Sequence, residues 1–280
     1  LVGLPRPAYA TTFEVTSVAD AGTGTLRAAI DAANSTLGAD TITFNIAGDG
    51  PHIISLLSPL PLVTSTILID GWSEPSFNTT TRVPVVVLDG TTAGTFTSGF
   101  IITGAASTVR GLAIQNFTEA GVLLTGSATG NKVQGCYLGL SVDGVTPAPN
   151  VIGVAMLAGT TNNLIGTDGD GTDDAYERNI ISGNTTLTAE GVGVQIGNTG
   201  TDGNRVAGNY IGLDPSGAVA IKNNVGIAIT AAAKNNIIGT NGDGVGDSVE
   251  GNVVSGHVSD TGDGIGIQIS GIGTTGNRVA

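Results

Sequence analysis

The residues best suited to chemistry are acids, and they fall in two clusters. The stretch TDGDGTDDAYE carries Asp168, Asp170, Asp173, Asp174 and Glu177, and TNGDGVGDSVE carries Asp243, Asp247 and Glu250, with Asn241 in the place of Asp168. Alternating Asp and Gly allows carboxylate oxygens to turn inward on a hard cation, so both stretches are candidate Ca2+ loops. Neither has the spacing or the closing bidentate Glu of an EF-hand, and a plain solvated turn has the same look. Both readings stay open at this point. Calcium is the one candidate cofactor.

A catalytic constellation is harder to assemble. The chain has two histidines, His52 and His257, and ten Lys and Arg residues scattered along its length. His52 reads as a strand-edge residue, and His257 stands where an earlier copy of the same segment has Asn184. Lys132, Arg205 and Arg278 recur at one phase of a repeat, as a solvated ladder does. Asp70-Gly71 and Asp89-Gly90 are turn pairs. Tyr137 and Tyr210 also recur, which favours a core or edge role. Trp72, in the polar stretch GWSEPSFNTTTR, is the best candidate for stacking on a sugar ring. No catalytic residue is assigned.

The elements that carry these residues follow from an internal repeat. NKVQGCYLGL at Asn131 returns as NRVAGNYIGL at Asn204 and as NRVA at Asn277, a step of 73 residues each time (204 − 131 and 277 − 204). NNLIGTDGDG and NNIIGTNGDG, NIISGN and NVVSGH, and GVGVQI and GIGIQI keep the same step, so the acidic loop is copied with its scaffold. A repeat without loss of register implies units that pack on their neighbours, as in a solenoid. Short aliphatic strands such as TITFNI, HIISLL, TILIDG and VPVVVLDG follow one another too closely for crossover helices, which excludes a doubly wound α/β fold. One stretch has helical period: GTLRAAIDAANS places Leu26, Ala29, Ile30 and Ala33 on one face, and we assign it as a cap on the first coil. Asn131, Asn163, Asn204, Asn236 and Asn277 each precede an aliphatic strand and read as corner residues in left-handed geometry, with stacking into a side-chain ladder.

The run FEVTSVADAGTGTLRAAIDAAN, then DTITFNI, Leu60-Pro61 and ILIDG at Ile67–Gly71, resembles the opening module of secreted bacterial right-handed parallel β-helix proteins. The Asn-x-Ile-x-Gly-Asn coils resemble the repeats of the pectate-lyase-like superfamily. The resemblance implies an all-β, right-handed parallel β-helix with a short N-terminal capping α-helix, here of some seven coils. It says little about activity, because such coils occur in polysaccharide lyases, hydrolases and epimerases as well as in adhesins and structural surface proteins. The aspartate, His-Gly and Arg cluster that the hydrolases would imply is not assembled in this chain.

Composition bounds the partners. With 23 acidic against 10 basic side chains, a net charge of −13 and no basic cluster, nucleic acid is disfavoured. No run approaches the roughly 20 apolar residues of a transmembrane helix. The one cysteine, Cys136, reads as a small buried hydrophobe. Ala8-Tyr9-Ala10 has the form of a signal-peptide tail, so residues 1–10 are expected to be a leader remnant and the protein extracellular or cell-surface. Residues 11–280 then form a single β-helix: cap 11–40, first coils 41–120, regular coils 121–280. The leading expectation is a non-enzymatic structural or adhesive module that binds calcium or a glycan and self-associates by end-to-end coil stacking. The rival is a polysaccharide lyase, hydrolase or epimerase acting on acidic glycans.

Overall fold

The computed structural model describes residues 9–185, 191–259 and 262–280; most of the expected leader remnant lies outside them. The inward positions are β-branched and aliphatic, and the turns are rich in Gly and Asn. That pattern folds into rungs of three short strands. The strands stack in parallel as three long sheets. Sheet A has nine strands, from Thr12–Val15, Asp40–Phe44 and Ile67–Asp70 through Thr108–Arg110, Lys132–Gln134, Leu164–Gly166 and Arg205–Ala207 to Ile237–Ile238 and Arg278–Val279. Sheet B has seven, from His52–Ser55 to Val253–Val254, and sheet C six, from Phe100–Ile102 to Ile265–Ile269. The chain is a parallel β-helix.

Nine strands in sheet A exceed the seven coils expected, and at about 4.8 Å per rung they span roughly 38 Å. The two extra rungs come from the N-terminal module. Its strand Thr12–Val15 pairs in register with Asp40–Phe44, so the cap is continuous with the sheet it closes. The helix runs Leu26–Ser35 behind the N-cap Thr25, and Leu26, Ala29, Ile30 and Ala33 are its buried residues, as the periodicity predicts.

Alternate side chains of the strands fill the interior, one from the shortest strands and two from the longer ones, such as Val154 and Met156. In sheet A, Ile42, Ile69, Val109, Val133, Ile165, Val206 and Ile238 are stacked in register, each buried. Branched side chains pack well on such a column because each meets its own kind one rung away.

The Asn positions form three ladders. Asn131, Asn163, Asn204, Asn236 and Asn277 are linked by amide hydrogen bonds of 2.9, 2.9, 3.0 and 3.0 Å, each Nδ2 donating to the next Oδ1. Asn179, Asn209 and Asn252 form a second ladder. Asn150, Asn184 and Asn223 form a third, in which His257 takes the next rung. The left-handed residue is not the ladder Asn but the one before it. Gly130, Asn162, Gly203, Asn235 and Gly276 have φ between 55 and 71°. The corner therefore needs two residue types in succession, one for the backbone and one for the amide relay.

Candidate functional site

The two acidic loops leave sheet A at the same corner and fold alike. In the first, the Thr167 hydroxyl donates to Asp174 Oδ1 at 3.0 Å, Gly171 N to Asp174 Oδ2 at 3.2 Å, and Asp168 N to Glu177 Oε2 at 3.0 Å. The second repeats each bond with Thr240, Asp247, Gly244, Asn241 and Glu250. Most of the acids thus accept hydrogen bonds within their own loop.

Of the eight residues expected to bind metal, the structure brings three together. Carboxylate oxygens of Asp168, Asp174 and Glu177 lie within 4.8 Å of one another. Asp170 and Asp173 are exposed and stand apart from this group, with Asp170 accepting from Thr172 N at 2.7 Å. Asp243, Asp247 and Glu250 form no such triangle, because Asn241 replaces the acid equivalent to Asp168. Burial lifts the Glu177 carboxyl above its usual range, and the neighbouring Asp168 charge adds to the effect.

A cation already reaches this group: Lys132 Nζ lies 2.6 Å from Asp168 Oδ2. One repeat on, Arg205 pairs with the fully buried Glu250 at 2.7 Å and donates to the carbonyls of Thr167 and Asp168. Arg278 does the same to Thr240 and Asn241. The repeating cations that read as a solvated ladder are therefore braces across successive loops.

Trp72 is half-buried against the rod, in the middle of a chain of ring contacts. It stacks on Phe77 at 6.4 Å, meets Tyr176 edge-on at 6.1 Å, and carries the Arg110 guanidinium 4.5 Å over its ring. Arg110 in turn grips Asp70 through two bonds of 2.8 Å, so Asp70 anchors this corner as well as ending its strand. Gly135 is required here: a methyl group on it would strike the Tyr176 carbonyl and the Trp72 ring. The stretch read as a surface insertion is thus pinned beside the first acidic loop. Tyr176 Oη donates to Thr79 O at 3.0 Å, and Arg82 Nη1 donates to Ala175 O at 3.2 Å.

Where these loops meet sheet B lies a pocket of about 120 Å³, whose lining includes Arg82, Gly135, Tyr137, Tyr176, Arg178 and Pro215. Both guanidiniums lie over tyrosine rings, Arg82 at 4.1 Å from the Tyr176 centroid and Arg178 at 4.3 Å from that of Tyr210. Arg27, Arg110 and Arg205 are salt-bridged, whereas Arg82 and Arg178 have no carboxylate partner among the described residues. Arg82 also has φ 60°, an uncommon conformation for a long side chain, held by its N–H bond to Asn78 O. Burial, with the Asp214 charge, pushes the Tyr137 hydroxyl up to about 12, so it stays a neutral donor. Sequence reasoning passed over Arg82 and Arg178. They are 96 residues apart, and no periodicity links them.

No protein-family model matches the chain, and no curated protein matches it. Among solved structures, an alginate lyase from Paenibacillus sp. str. FPU-7 is similar with a TM-score of 0.42 and 18% sequence identity, over 96% of this chain and 95% of that one. No helix among the described residues is long and apolar enough to cross a membrane.

Proposed function

We propose that the protein is an extracellular β-helical binding module that captures an acidic saccharide in the Arg82–Arg178 pocket without cleaving it. The observation that carries this reading is the pair of guanidiniums without carboxylate partners among the described residues, both lining one pocket in a chain of net charge −13. In so acidic a chain a guanidinium has many carboxylates to pair with, and two that pair with none of the described ones yet share a pocket suit an anion from outside. Planar guanidinium forks match a carboxylate.

Turnover would need more than binding. Elimination at a uronate requires neutralisation of the carboxylate and a base to remove the adjacent proton. The pocket offers the first. Arginine does not give up its proton, the Tyr137 hydroxyl is held far above neutral pH, and the Tyr176 hydroxyl is engaged with Thr79. For the acidic loops we propose a bracing role, with the Asp168–Asp174–Glu177 group as the one point where calcium would enter.

Calorimetric titration with oligouronates and with neutral oligosaccharides of equal length tests the reading. Wild-type protein is expected to bind the acidic series alone. Arg82→Ala and Arg178→Ala should each weaken binding tenfold or more, since a charged hydrogen bond contributes about 1.5–3 kcal/mol. Equal binding of neutral chains would overturn the anionic part, and ultraviolet-absorbing unsaturated products would overturn the absence of turnover.

A further inference from the structure

The two acidic loops differ at one position with chemical consequences. Asn241 is followed by Gly242, and it is the only Asn-Gly pair among the 20 asparagines of the chain. The other asparagines precede residues with a side chain, and those of the ladders are largely buried with their amides bonded. Asn241 is half-buried in the second loop, and Gly242 is exposed.

We propose that Asn241 is a deamidation site, and that its conversion to aspartate gives the second loop the counterpart of the Asp168–Asp174–Glu177 group. The Gly242 nitrogen attacks Asn241 Cγ. An N–C bond forms, the Cγ–Nδ2 bond breaks, and ammonia leaves with the proton from Gly242 N. Water then opens the resulting succinimide at either carbonyl, leaving aspartate or isoaspartate at position 241. Glycine allows the attack because no side chain crowds the approach.

The structure argues for selectivity and for control of rate. Gly242 N–H donates to Thr240 Oγ1 at 2.9 Å, the Asn241 amide donates to Asp243 Oδ2 at 2.8 Å, and Asn241 Oδ1 accepts from Asp243 N at 3.0 Å. These bonds hold the attacking nitrogen and the target carbon in place, so the folded loop reacts more slowly than a free peptide. The product carboxylate is compatible with the turn: the first loop holds Asp168 at this position, with the same donation from Gly169 N to Thr167 Oγ1 at 3.1 Å. A cation is close by, since Arg205, the counterpart of Lys132, already pairs with Glu250 in the same loop.

Incubation of the full chain at mildly alkaline pH, followed by peptide mapping with electron-based fragmentation, tests the proposal. The amide-to-acid mass gain is expected at Asn241 and at none of the ladder asparagines, as aspartate, isoaspartate or both. Thr240→Val, which frees the attacking nitrogen, is expected to convert several-fold faster while keeping its circular dichroism spectrum. Two results would overturn the proposal: an unchanged Asn241 in both proteins after a synthetic TNGDG peptide has fully converted, or ladder asparagines converting as fast as Asn241.

Discussion

Lys132 shows how the same residue types serve either as a metal site or as an internal brace. Its ammonium sits 2.6 Å from one of three converging carboxylates, where a divalent ion would otherwise enter. Lys132→Met removes that resident charge. Calcium is then expected to raise the melting temperature more in the variant than in wild type, by scanning calorimetry, and Asp174→Asn should remove the gain. A calcium response abolished by Asp247→Asn would instead place the ion in the second loop. His257 gives a second residue-scale case. It occupies an asparagine rung with Nε2 buried and without a hydrogen-bond partner among the described residues, and burial lowers its pKa below the usual histidine value. The folded state thus favours the neutral ring: its contribution to stability is complete above pH 6.5 and is lost as pH falls through the folded pKa. His257→Asn restores the amide relay. It is expected to raise stability and to flatten the slope of melting temperature against pH below 6.5.

At the scale of elements, the ladders tie consecutive rungs through buried amides. Asn204 Oδ1 accepts from Asn163 N and Nδ2, and its own Nδ2 donates to Thr160 O and Asn236 Oδ1. Asn204→Ala leaves several of these groups buried and unpaired, and is expected to cost about 3 kcal/mol in urea unfolding. Asn204→Asp should be no better, because a carboxylate cannot donate to Thr160 or Asn236. The recurrence of Asn was legible in the sequence. Its division of labour with the preceding left-handed residue was not, because Gly and Asn alternate at that preceding position and look like unrelated turn residues.

At the scale of the whole molecule, each rung contacts its own neighbours, so damage should stay local. Ile165 is fully buried in the sheet A column. Ile165→Ala is expected to cost roughly 2–5 kcal/mol, and hydrogen exchange should rise in the strands Lys132–Gln134 and Arg205–Ala207 that flank it, more than in the N-terminal cap. By itself the sequence determined the solenoid, the capping helix, the burial of Cys136 and the duplication of the acidic loops, since each depends on local periodicity or on spacing that recurs. Tertiary structure alone decided that Asp168, Asp174 and Glu177 meet while five other acids do not, that Trp72 is an anchor, and that Arg82 and Arg178 share a pocket. The reason is geometric. A β-helix brings together residues whose separations are set by loop lengths between rungs, and irregular loops such as 71–82 and 167–178 carry no period from which those meetings can be read.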